Sequence, residues 1–159
     1  MPPRIQLLDH KLLDEVRLRA RQNSRLRANH NFHASYDENP QRFLNALARG
    51  TYIRPHRHAA SRPESLLVLS GELAYLLFHD DGSIAFTTIL GRDALGIDVP
   101  GGVWHTGVAL TPEVLCYEVK PGPYVPATDK EFAPWAPEEG DSAAAEYLRQ
   151  LESIGCRAR

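Results

Sequence analysis

The sequence predicts an all-β chain, an antiparallel sandwich or barrel with a helix before it and a helix after it. Three observations point there. Between residues 43 and 120 the apolar residues gather into about eight short runs rich in Val, Ile, Leu, Tyr, Phe and Thr, the length and composition of strands. The runs are separated by turn-forming residues: Gly50, Ser70-Gly71, Asp80-Asp81-Gly82-Ser83, Gly91-Arg92-Asp93, Pro100-Gly101-Gly102 and Thr111-Pro112. No helical periodicity intervenes, which sets aside a doubly wound α/β sheet.

Taken in order, residues 9–22 place Leu12, Leu13, Val16 and Ala20 at helical spacing behind Asp9, a residue suited to the N-cap, and predict an amphipathic helix. Its other side and the segment after it carry Arg17, Arg19, Arg21, Arg25 and Arg27, read as a solvated basic face. Strands are expected over 43–49, 51–54, 65–69, 72–79, 84–90, 95–99, 104–110 and 114–119. Residues 121–140 hold Pro121, Pro123, Pro126, Pro134 and Pro137 among Tyr124, Phe132 and Trp135. That composition excludes a central strand or helix interior and suggests a segment packed over the barrel. Asp141 or Ser142 then caps a closing helix with the stripe Tyr147, Leu148, Leu151 and Ile154, and Gly155 suits its end. The expected organisation is one domain over 1–159: a helical segment at 1–40, a barrel at about 41–120, and a Pro-rich tail with a helix at 121–159.

Bulk properties narrow the function classes. A net charge of -2 offers no overall positive field for a phosphate backbone, so nucleic acid is not expected as a partner. The apolar runs are too short to cross a bilayer, and the first residues are prolines and charges instead of an apolar signal region, so a cytoplasmic chain without membrane association is expected. Cys116 and Cys156 lie far apart and resemble neither a disulfide framework nor a CxxC knuckle.

Chemistry concentrates in Gly50-Thr-Tyr-Ile-Arg-Pro-His56-Arg-His58, followed by Glu64, Gly71 and, much later, Pro100-Gly-Gly102-Val-Trp-His105. On a strand, residues two apart share a face, so His56 and His58 project together while Arg57 turns away. Glu64 leads into the next strand and His105 enters from a strand after the Pro100-Gly101-Gly102 turn. Three imidazoles and one carboxylate suit a single divalent ion such as Zn, Fe, Mn or Ni, with positions left open for water or ligand. The remaining histidines, His10, His30, His33 and His79, are read as packed, hydrogen-bonded core imidazoles.

This pattern, Gly50, His56, His58, Glu64 and Gly71 followed by Pro100, Gly102 and His105, resembles the two motifs of the cupin superfamily. It departs from them in placing Glu64 one or two residues late, in the short gap from Gly96 to Pro100, and in Ala109 where asparagine is common. The resemblance implies a cupin fold, the double-stranded β-helix or jelly-roll barrel, with short terminal helices. Further stretches, from Arg27-Ala-Asn29-His-Asn-Phe-His33 through Gln41-Arg42 and Trp104-His-Thr106 to Glu118-Val-Lys-Pro-Gly-Pro-Tyr124, are similar to the WbuC family of cupin-fold metalloproteins, over about residues 23–137. That family is often associated with O-antigen and other bacterial surface-polysaccharide gene clusters, and its reaction is not established.

Around the ion, a period of two puts Tyr52 and Arg54 on the face of His56 and His58, where Arg54 would grip a carboxylate or phosphate or else pair with Glu118. Asn29 and His33 are candidates for the barrel mouth, and Trp104 for a core residue or a stacking platform. Two function classes follow. One is a metal-dependent enzyme on a sugar or nucleotide-sugar derivative, by isomerase, epimerase or lyase chemistry, with an Fe(II) dioxygenase as rival. The other is a non-catalytic sugar-sensing module. No catalytic residue is assigned. The expected partners are a small sugar-like or anionic ligand and a second copy of the chain, as a homodimer paired through terminal arms.

Overall fold

The computed structural model describes residues 5–157. Helix α1 (His10–Gln22) starts where expected, with the Asp9 carboxylate accepting from the Leu12 amide at 2.9 Å. It is followed by β1 (Arg27–Asn31), β2 (Gln41–Ala48), β3 (His56–Arg57), β4 (Glu64–Ser70) and β5 (Leu73–Phe78). Then come β6 (Ile84–Leu90), β7 (Gly96–Val99), β8 (Trp104–Ala109), β9 (Glu113–Lys120), β10 (Glu131–Phe132) and α2 (Ala144–Arg157). The strands form two five-stranded antiparallel sheets, one in the order β1-β2-β9-β4-β7 and the other β10-β3-β8-β5-β6. Two facing antiparallel sheets with terminal helices are the predicted jelly-roll architecture.

Strand phase divides the apolar residues among three layers. Leu47, Leu66, Leu73, Leu90, Val99 and Val114 meet between the sheets. On the outer side of the first sheet, Leu44, Ala46 and Leu115 receive Val16 and Ala20 of α1, the helical stripe read from the sequence. On the outer side of the second, Ala74, Leu76, Val108 and Trp104 are covered by Leu148 and Leu151 of α2. Burying each Leu of this kind contributes about 1.5–3 kcal/mol. Because β2 and β8 are packed on both faces, their residues are buried without clean alternation.

Several expectations are corrected. Residues 51–54 form no strand: Pro55 has no amide to donate, and the ladder begins only at His56, which pairs with His105. Arg27–Asn31 is a strand within the segment expected to be helical. Its apolar alternation is weak, and it is held by five register pairs to β2. The Pro-rich tail contributes a two-residue edge strand, Glu131–Phe132, on β3. The rest of the tail packs as expected, with Trp135 4.9 Å from the Phe78 ring. Gly155 does not end α2 but sits inside it, where a Cβ would come 2.6 Å from the Ala74 Cβ. His10 and His79 are exposed and not core imidazoles. The arginines at the end of α1 and just after it are largely paired: Arg21 with Glu113 at 2.6 Å, and Arg25 and Arg27 with Glu139 at 2.6 and 2.7 Å. No described helix is long and apolar enough to cross a membrane.

Candidate metal centre

His56 stands on β3, His105 directly across from it on β8, and His58 just past the end of β3. On β8 the period of two turns Trp104, Thr106 and Val108 toward α2 and the tail, and His105 and Gly107 toward the space between the sheets. The two motifs are pulled together by close backbone approach. The Gly102 amide donates to the His58 carbonyl at 2.8 Å, and a Cβ on Gly101 would lie 2.1 Å from the Ala59 carbonyl oxygen, room that glycine alone leaves.

All three imidazoles are buried, and one nitrogen from each lies within 4.8 Å of the other two. Their tautomers follow from their partners. The Nδ1 atoms of His56, His58 and His105 donate to the carbonyls of Arg54, Asp129 and Val103 at 3.0, 2.5 and 2.8 Å. The Nε2 atoms are therefore left to face one another, as in metal-bound histidines whose far nitrogen is held by a carbonyl. Burial, followed by the charges of Lys130 and His105, holds the His56 imidazole well below its usual range, so its lone pair stays free.

Glu64, on β4, closes the set. Its Oε2 lies 3.1 Å from His58 Nε2 and its Oε1 3.1 Å from His105 Nε2, and Tyr75 donates to Oε1 at 2.7 Å. Burial pushes this carboxyl up, but the neighbouring His105 and His58 outweigh it and hold it well below the usual carboxylate range. The His105 nitrogen, though close, is out of line for a hydrogen bond and is a buried polar atom without a partner. With both Nδ1 protons already donated, neutral imidazoles would press lone pairs against a carboxylate. A cation, or a proton on an imidazole, relieves that contact, so the donor set fits a divalent ion bound in exchange for protons. Three histidine nitrogens and a carboxylate suit Zn, Fe, Mn or Ni alike.

The centre opens into a cavity of about 860 Å³ between the sheets. Asn29 lines it and His33 stands at its edge, the His33 Nδ1 accepting from the Arg42 amide at 3.1 Å. Glu118 also faces it, accepting from Asn45 at 2.7 Å; burial and Glu64 push its carboxyl up to about 8. Two other candidates, Tyr52 and Arg54, are placed differently from the sequence expectation, and Trp104 takes the core reading. Tyr52 points away into the core beneath α2, its hydroxyl donating to the Pro137 carbonyl at 2.8 Å, because the missing strand breaks the period of two before His56. Arg54 borders the cavity, but its guanidinium donates to the Ala133 carbonyl at 3.0 Å and approaches Glu138 at 3.4 Å, not Glu118. Trp104 is core: its indole donates to Asp80 at 2.9 Å and carries the Arg57 guanidinium 4.2 Å above its ring.

Sequence reasoning missed Tyr75, Asn45, Lys120, Asp129 and Lys130. Tyr75 was within reach, since Leu73 and Tyr75 share the cavity face of β5 at the strand period. Asp129 and Lys130 come from the Pro-rich tail, which has no period to read.

Paired antiparallel sheets around a buried three-histidine cluster define a cupin-type barrel. Solved cupin structures share this fold. CapF from Staphylococcus aureus, titled a capsular polysaccharide assembling protein, aligns at 22% identity and a TM-score of 0.55 over 65% of this chain and 29% of its own. An oxalate oxidase in complex with the substrate analogue glycolate aligns at 14% and 0.53 over 86% and 76%. KdgF from Halomonas sp. aligns at 17% and 0.50 over 64% and 82%. This chain thus spans less than a third of CapF. Comparison with curated proteins returns no match. By sequence the chain belongs to the family described as domain of unknown function DUF6016, whose model matches residues 8–90, more than half of its length.

Proposed function

We propose that this chain is a metalloprotein that holds one divalent ion with His56, His58, His105 and Glu64 and presents it to a small oxygenated ligand in the cavity. The observation that carries this reading is the convergence of three imidazole nitrogens whose opposite nitrogens are all committed to backbone carbonyls. A bound ion of this kind supplies Lewis acidity toward a carbonyl or hydroxyl oxygen. Tyr75 fixes the Glu64 carboxylate, and Asn29, Asn45 and Glu118 offer the hydrogen-bonding wall that a polyol needs.

The ligand class we infer is a sugar or nucleotide-sugar derivative of surface polysaccharide metabolism, in a protein of the WbuC type that works in the cytoplasm as a homodimer. The motif similarity over about residues 23–137 supports this, and so does the fold shared with a protein titled as assembling capsular polysaccharide. Light scattering near the 17.8 kDa monomer mass would contradict the dimer.

Co(II) titration of metal-free protein tests the centre. The expected result is saturation at one equivalent, with visible bands that shift when a chelating oxygen ligand is added. Bands unmoved by any such ligand would mean a closed, purely structural site. The same oxygen ligands with Fe(II) under air separate the dioxygenase rival, since absence of oxygen uptake removes it.

A further inference from the structure

Lys130 stands in the cavity wall between two anchored residues. On one side, the Asp129 carboxylate turns inward to Lys120 at 2.9 and 3.1 Å, while its carbonyl takes the His58 proton. On the other, Glu131 turns outward to Arg57 at 2.8 Å, and Phe132 pairs with His56 in the β10–β3 ladder. The segment is pinned at both ends, and Lys130 lies within electrostatic reach of His56, Glu64 and Glu118.

Its charge is unmatched. Among the described residues no carboxylate lies within ion-pair distance of the Lys130 ammonium, and no group accepts a hydrogen bond from it. The other cations bordering the cavity interior each have a carboxylate partner: Lys120 has Asp129, Arg54 has Glu138, and Arg27 has Glu139, which the exposed Arg25 shares at the rim. Arg19 belongs to the exposed rim. The acids whose charges act on Lys130 do not pair with it: Asp129, the first of them, is held by Lys120. Glu64 is committed to two histidines and Tyr75, and Glu118 keeps its proton up to about pH 8. Burial, with the Lys120 charge, lowers the Lys130 pKa, as expected of an ammonium short of counter-charge.

We propose that the ligand of this cavity carries a carboxylate, which Lys130 receives while another oxygen-bearing end of the same molecule faces the three histidines. This rests on the metal reading above and narrows its ligand to an acid. Among the described residues Lys130 is the interior cation without a carboxylate partner, and a single negative charge beside it supplies that partner. A carboxylate carries one charge and a phosphate dianion two, so a sugar acid or hydroxy acid fits better than a sugar phosphate.

Hydroxamates test the idea, because the chelating end can be kept constant while the far end varies. Zn(II)-loaded full-length protein is titrated calorimetrically with ω-carboxy hydroxamates of one to three methylenes, with the matching alkyl hydroxamates and with the ω-phosphono analogues. A charge-assisted contact predicts that at least one carboxylate binds on the order of ten- to a hundredfold more tightly than its alkyl partner. That ratio should collapse toward one in Lys130→Met and largely survive in Lys130→Arg. Equal affinities for carboxy and alkyl hydroxamates, a ratio unmoved by Lys130→Met, or a preference for the phosphonates would each overturn the inference while leaving the metal centre intact. Failure of every hydroxamate to bind the metal-loaded protein would mean a closed metal site and overturn this inference, whereas failure of the protein to load Zn(II) at all would overturn the metal reading itself.

Discussion

At Glu118 the cavity wall holds a carboxyl whose proton leaves at about pH 8, against an unfolded value near 4.3, with burial as the first cause. Between those values the folded chain keeps a proton that the unfolded chain has lost. This group therefore costs stability as pH rises through that window, and the cost is complete above pH 8. Glu118→Gln removes the titration while keeping the Asn45 contact. Thermal melts of metal-free protein should show the variant gaining more over the parent at pH 8.5 than at pH 5, and an equal difference at both would contradict the assignment. At this scale the sequence was most legible where residue type and spacing act together. His56, His58, Glu64 and His105 stand out because few other arrangements explain two imidazoles at strand period, a carboxylate and a third imidazole behind a Pro-Gly turn. Lys130 was illegible because its role comes from what fails to pair with it.

Elements decide which of those residues can meet. The strand expected at 51–54 failed at Pro55, and with it failed the phase that would have aimed Tyr52 into the cavity. The turn-to-strand rhythm from β4 to β9 was readable within a residue or two, since turn chemistry there is local. β1 and β10 are held mainly by partners distant in sequence and left little local trace. Gly155 shows the same dependence. Gly→Ala inside a helix ordinarily stabilises by about 0.8–1 kcal/mol. Here the added methyl meets the Ala74 Cβ at 2.6 Å, between two rigid elements. Gly155→Ala should thus destabilise by about 1–3 kcal/mol in urea unfolding as α2 is pushed off β5, and a gain in stability would mean that α2 is not seated as described.

For the molecule as a whole, the candidate metal centre is where separate parts of the chain converge. β3 and β8 bring His56 and His105, β4 brings Glu64, β5 brings Tyr75, and the tail orients His58 through the Asp129 carbonyl. An ion held there binds the folded chain and not the unfolded one, so it should raise the melting temperature with metal concentration. The fold class could be read from strand rhythm and motif spacing, whereas the tail's contribution emerges only once the barrel is closed. The most direct test is elemental analysis of protein purified without added metal, alongside His56→Ala. One divalent ion per chain in the parent, and its loss in the folded variant, is the predicted result; the same metal content in both, or none in either after exposure to Zn, Fe, Mn and Ni, would contradict it.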